Sequence, residues 1–163
     1  IAMEAMMKGI EKAVFVLIAL AFSGNALAFK YNGYKWSKFP IVWYLDSQEY
    51  QQNINRAKIQ AALQQAFDTW ETAKFDGKCT SVRFKFGGNV NANGPRNDRK
   101  SVISFAFSPV YDGAPGSLGK IVIYAQEADI MFPQQINFSV DPKAGQYDLV
   151  SVAMLQIGYI LGL

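Results

Sequence analysis

Histidine is absent from all 163 residues, and cysteine occurs once, at Cys79. Without an imidazole, no side chain is poised by default to titrate near neutral pH, and the commonest nitrogen ligand for a metal is missing. A single cysteine also excludes an intrachain disulfide and a thiolate metal cluster. We interpret Cys79 as a small, partly buried residue that opens a strand. The alternative is a lone thiol that a partner uses or that acts as an inhibitory ligand.

Charge of either sign is sparse as well, because only 18% of the residues are charged and the net charge is +3. Lysine and arginine are scattered, apart from a short cluster at Arg96, Arg99 and Lys100 in a polar stretch. No basic stripe alternates with aromatic residues, so we do not expect nucleic-acid binding. Half of the residues are hydrophobic, which at this length predicts one globular domain with its own core.

Residues 7–28, MKGIEKAVFVLIALAFSGNALA, contain the three parts of a secretory signal in order. Lys8 and Lys12 give a positive start, residues 13–22 are apolar, and residues 26–28 form a small-x-small cleavage site. Ten apolar residues fall short of the roughly 20 that span a bilayer. We therefore expect residues 1–28 to be upstream residues plus the signal, and residues 29–163 to be a secreted domain, extracellular or periplasmic. The alternative is an uncleaved segment, the one route to a membrane that we expect.

Hydrophobic periodicity predicts a long helix over residues 53–73, with Asn53 or Asn55 as its cap, and a final helix that begins at or near Asp148. Residues 39–45 predict a strand, and Pro40 at its start favours an edge position. Further strands are predicted at residues 80–86, 102–107, 120–124 and 128–132, with a loop at residues 87–100. This order predicts an α+β fold: a twisted mixed sheet of about five strands with both helices on one face.

The last residues, DLVSVAMLQIGYILGL, have the spacing of the metzincin motif H-E-x-x-H-x-x-G-x-x-H and resemble its matrixin form. Leu155, Gln156 and Tyr159 stand where that family has His, Glu and His, and Gly162 stands at its glycine. The third histidine would fall two positions beyond Leu163. Other stretches also resemble matrixins, namely YKWSKFPIVWYL, AFDTWETAKFDGKCTSVRFKF, DRKSVISF, PGSLG and EADIMF. Without that ancestry, the terminal segment would be an ordinary buried amphipathic helix.

The resemblance implies a zinc site in active relatives, where two histidines bind Zn²⁺ and the glutamate activates the bound water. Here Leu155 has no lone pair, Tyr159 offers a phenol with a pKa of about 10, and Gln156 cannot take a proton at neutral pH. We therefore expect no cofactor in this chain. Relatives bind substrate as an added strand along the cleft, and the residues implied to lie beside a peptide are Ser117, Leu118, Gly119, Lys120 and Ile121.

These observations predict a secreted domain of the matrixin-like metalloendopeptidase family that does not hydrolyse peptide bonds but retains a cleft for a peptide or protein ligand. The alternative is an incomplete or altered copy of an active secreted zinc metalloendopeptidase, since the given chain ends inside the motif. A third interpretation is a structural or carbohydrate-contacting domain that uses Tyr31, Tyr34 and Trp36. Ligand identity and oligomeric state are not predicted.

Overall fold

A five-stranded sheet forms the centre of the computed structural model, which describes residues 32–48, 53–75, 77–92, 94–107 and 116–163. Its strands are β1 (Ile41–Asp46), β4 (Phe84–Val90), β5 (Ser101–Phe107), β6 (Lys120–Ile123) and β7 (Ala128–Pro133). They lie in the order β4-β1-β5-β7-β6. The first four strands are mutually parallel, and β6 pairs antiparallel with β7. Two short pairs join β2 (Lys74–Phe75) to β3 (Lys78–Cys79) and β8 (Phe138–Ser139) to β9 (Tyr147–Asp148).

Two helices complete the described unit, Tyr31–Leu163. Helix α1 spans Arg56–Thr72, and Asn55 caps it by accepting from the Ala57 amide at 2.8 Å. Helix α2 spans Leu149–Ile160, and the Asp148 carboxylate accepts from the Ser151 amide at 2.9 Å. Both caps satisfy helix amides that have no carbonyl partner within the helix. Of the two predicted candidates for the first cap, Asn53 and Asn55, Asn55 caps the helix. The predicted cap Asp148 is confirmed.

One apolar core joins the sheet to both helices. Trp43 of β1 stacks on Phe67 of α1 with ring centroids 4.8 Å apart, and Phe105 of β5 stacks on Phe132 of β7 at 5.2 Å. Ile157 of α2 is fully buried in the same cluster. Because each aromatic pair also removes a large apolar area from water, these contacts dominate the packing. The predicted α+β fold, with a five-stranded mixed sheet, a long helix and a terminal helix, is confirmed.

Three local predictions were wrong. Strand β1 lies between β4 and β5, not at an edge, since Pro40 precedes the strand and removes no hydrogen bond from it. Strand β4 continues from Phe84 through two glycines to Val90, so the loop after it starts later than predicted. Cys79 is exposed rather than partly buried, because it lies in the small β2–β3 hairpin and not in the central sheet.

The two helices pack closely where α2 carries Gly158. The Trp70 indole nitrogen donates to the Met154 carbonyl at 2.9 Å, and a Cβ added to Gly158 would lie 3.0 Å from the Trp70 ring. A side chain at position 158 would therefore push the helices apart.

The segment before β1 is tied to the far end of α2. The Asn32 amide donates to the Gly162 carbonyl at 2.8 Å, and the Trp36 indole nitrogen donates to the Ile160 carbonyl at 2.8 Å. These bonds satisfy carbonyls that the last turn of a helix leaves without a partner. They hold the start of the described chain against its end.

Candidate functional site

The residues at the three motif positions lie on helix α2 with different exposures. Leu155 is 49% exposed and Tyr159 is 43% exposed. Because the two residues are four positions apart in a helix, their side chains lie side by side on one face. Gln156 is only 5% exposed and points into the domain. An apolar, solvent-facing pair therefore stands where the resemblance implies a metal.

Gln156 lies directly against the segment implied to border a peptide. A Cβ added to Gly119 would lie 2.8 Å from Cδ and 3.0 Å from Nε2 of Gln156. Glycine at position 119 thus lets the backbone approach the amide side chain closely. The structure therefore brings the start of β6 against the helix that carries the motif positions.

The turn that leads into β6 is closed by its own side chain. The Ser117 hydroxyl donates to the Gly119 carbonyl at 2.6 Å. Leu118 and Ile121 are half-buried and pack against the core, whereas Lys120 is exposed at the first position of the strand. Apolar anchors on both sides of Gly119 therefore fix the position of the turn.

Strand β6 stands at one end of the sheet. Ile121, Val122 and Ile123 pair with Ile130, Asp129 and Ala128 of β7 in antiparallel register. Within the described ranges, no strand lies on the other side of β6. Such an edge can accept an extended peptide as a further strand through main-chain hydrogen bonds.

The donor set on α2 does not fit a zinc ion. Zinc in proteins takes thiolate, imidazole or carboxylate ligands, whereas Leu155 presents methyl groups and Tyr159 a phenol. The chain has no histidine that another element could supply. Among the described residues, no three His, Cys, Asp or Glu side chains are grouped as a metal site requires.

Two buried carboxylates outside this region were missed at the level of sequence. Asp129 accepts from the amides of Arg96 at 3.0 Å and Val102 at 2.8 Å. Glu127 accepts from the amides of Asp98 and Arg99. Together they fasten the loop before β5 to the start of β7. The one sequence signal was the pair of acidic residues in the otherwise apolar stretch EADIMF.

Burial is the main influence on Asp129. It raises the pKa of this carboxyl from 3.8 to about 6, against the lowering effect of the two backbone amides. The neighbouring charges of Glu127 and Asp98 contribute to this rise. This carboxyl consequently titrates in a range where an exposed aspartate is already ionised.

Further sequence interpretations concern the aromatic residues before β1, the expected signal and the membrane. Trp36 is half-buried and packs against the core, which favours a packing role over a carbohydrate contact. Tyr31 and the expected signal at residues 7–28 lie outside the described residues. No helix in the described part of the chain is long and apolar enough to cross a membrane.

No protein-family model matches the chain, and no curated protein matches it significantly. The geometry of β6 and α2 is therefore the basis for the functional argument.

Proposed function

We propose that this chain is a secreted, matrixin-like domain that binds an extended peptide without cleaving it. The peptide lies along the outer edge of β6 and contacts Leu155 and Tyr159 on α2. The observation that carries the proposal is the close approach of Gly119 to Gln156, because it supports one continuous surface made of the edge strand and the exposed helix pair.

The edge strand, the exposed helix pair and Gln156 each contribute to this surface in a different way. The main chain of Ile121–Ile123 hydrogen-bonds to the peptide main chain and binds it in an extended form. Leu155 and Tyr159 bury apolar side chains of the peptide, and each Å² of apolar area removed from water contributes about 25 cal/mol. Gln156 stays beneath Gly119 and holds the turn. None of these groups can deprotonate a water molecule at neutral pH, so the bound peptide stays intact.

Peptide binding tests this proposal. Fluorescence anisotropy with labelled peptides from a casein digest should show saturable binding. Leu155→Asp and Tyr159→Asp should each weaken it about tenfold, since a charge then opposes burial of an apolar side chain. Tyr147→Asp is the matched control, because Tyr147 is 47% exposed and lies in β9, before α2 begins. Equal loss in all three variants, or no binding by the unmodified protein, would overturn the proposal.

The non-hydrolytic part is tested separately. Casein and gelatin should remain intact with added zinc, with or without a chelator. Chelator-sensitive cleavage would contradict this part and leave the peptide-binding part standing.

The second candidate is an altered copy of an active zinc endopeptidase. It is favoured by the retained spacing of positions 155, 156 and 159 and by Gly162, whose φ of 101° ends the helix as a glycine does. The nucleotide sequence after Leu163 separates the two candidates. A histidine two positions on, followed by a methionine turn, supports the altered copy, and an immediate stop codon counts against it.

A further inference from the structure

We propose that a small cavity at the start of β1 and β5 binds a phosphate group, either free or as the ester of a small molecule. This site is separate from the peptide surface and does not depend on the proposed function. The cavity has a volume of about 160 Å³, which is below the roughly 300 Å³ at which sites for whole drug-sized ligands begin. It therefore suits a single small group.

Two cations lie on the rim of this cavity. Lys38 and Arg99 both line it and both are exposed. Neither side chain has an ion-pair or hydrogen-bond partner among the described residues. Two like charges beside one small cavity repel each other, and an anion between them removes that repulsion. Guanidinium and ammonium groups are also the strongest side-chain donors to phosphate oxygens.

A buried serine lines the same cavity. Ser101 lines the cavity and is only 6% exposed. Its oxygen accepts from the Ala128 amide at 3.1 Å, and its own hydrogen has no acceptor among the described residues. The cationic residues come from two separate segments, one before β1 and one that leads into β5. Donors carried by separate segments suit a tetrahedral anion better than a planar carboxylate.

Hydrogen bonds anchor the main chain at or beside both cationic residues. Arg99 has a φ of 65°, a left-handed conformation that is uncommon for arginine. The Glu127 carboxylate holds it there by accepting from the Arg99 amide. On the other side, the Gln126 side chain accepts from the Ser37 amide at 2.8 Å and so fixes the residue before Lys38. Two acidic residues adjoin the cavity wall in sequence, Glu127 beside Gln126 and Asp98 beside Arg99. Both already accept backbone amides, Glu127 from Asp98 and Arg99, and Asp98 from Lys100 at 3.1 Å.

Strained backbone at an arginine is informative, because glycine would adopt the same φ at lower cost. A role for the arginine side chain at the cavity would account for this residue.

Isothermal titration calorimetry with inorganic phosphate at constant ionic strength tests the proposal. We expect one saturable site per chain, and we expect Lys38→Gln and Arg99→Gly each to weaken binding about tenfold or more. Arg99→Gly suits the left-handed φ, so lost binding in this variant is not explained by unfolding. Lys100→Gln, which removes a neighbouring charge that does not line the cavity, should leave binding unchanged.

Three outcomes would overturn the proposal: no saturable binding by the unmodified protein, undiminished binding by Arg99→Gly, or an equal loss in Lys100→Gln. Acetate binding as tightly as phosphate would also overturn it. Glycerol phosphate distinguishes the source of the group, since tighter binding than inorganic phosphate supports an ester and weaker binding supports the free ion.

Discussion

Asp129 and Glu127 are acidic side chains at the start of a strand whose other residues are apolar. Each is 2% exposed, and each accepts two backbone amides from residues 96–102. Charge-assisted bonds of this kind contribute more than neutral ones. These bonds to the two carboxylates, and not pairing between strands, therefore anchor the loop that carries Arg99.

The titration of Asp129 predicts how stability changes with pH. Its pKa is higher in the folded protein, about 6, than the ordinary 3.8, so the folded state binds this proton more tightly. The contribution of Asp129 to stability is then greatest below about pH 4 and declines as the pH rises to about 6. The free energy of unfolding in urea, measured across this range, should show that decline relative to Asp129→Asn. The same pH dependence in both proteins would contradict the assignment.

The left-handed backbone conformation of Arg99 predicts that its replacement by glycine stabilises the protein. Arg99→Gly should raise the free energy of unfolding by about 0.5 kcal/mol, because relief of a strain of roughly 1–2 kcal/mol outweighs the extra entropy that glycine brings to the unfolded chain. Lys100→Gly is the control, since Lys100 has an ordinary negative φ and its replacement should destabilise. Urea denaturation measures both. Equal destabilisation of the two variants would argue against strain at Arg99.

At the scale of the element, α2 is defined by its two ends and by one contact near its last turn. Asp148 caps the start, and Gly162 lies just beyond the end with a φ of 101°. Gly158, near its last turn, faces the Trp70 ring of α1. This contact explains a glycine inside a helix, where it otherwise costs about 1 kcal/mol relative to alanine.

Gly158→Ala should therefore destabilise the domain although alanine favours helices. The new methyl group would meet the Trp70 ring at 3.0 Å, and the bond from Trp70 to the Met154 carbonyl restrains the ring from moving. Overpacking of this kind costs about 1–3 kcal/mol. Thermal unfolding should show a lower midpoint for Gly158→Ala. The loss should shrink in a Trp70→Phe background, and an equal loss in both backgrounds would contradict the contact.

Periodic stretches of the sequence predict the helices and their buried faces, because a helix turns its apolar side inward every three or four residues. Ile59, Leu63 and Phe67 are buried as that pattern indicates. Periodicity within a strand does not indicate which strands lie beside it in the sheet. The interior position of β1 and the acceptance of loop amides by Asp129 join residues far apart in the chain, so a single sequence carries little signal for either.

The sequence likewise predicts only part of the candidate site. The spacing around Gln156 predicts that residues 155 and 159 share a helix face. The exposure of Leu155 and Tyr159, and the contact of Gln156 with Gly119, depend on how α2 packs beside β6. The cavity between Lys38 and Arg99 depends in the same way on two loops that meet only in the folded chain.

At the scale of the whole molecule, the described unit combines a well-packed scaffold with motif positions that hold no metal-binding or proton-accepting groups. The core is continuous from β1 to α2, and Asn32 and Trp36 fasten the start of the described residues to the end of the last helix. A stable scaffold with an open edge strand suits binding. Leu155, Gln156 and Tyr159 carry no group that could activate a water molecule for hydrolysis at neutral pH.

Hydrogen–deuterium exchange with mass spectrometry tests this account most directly, because one experiment reads both the binding edge and the fate of the peptide. The protein is mixed with a casein peptide that binds it, in the presence of zinc. The account predicts slower exchange of amides in Ile121–Ile123, together with an unchanged peptide mass. Cleaved peptide, or a complex in which β6 exchanges as fast as in the free protein, would contradict it.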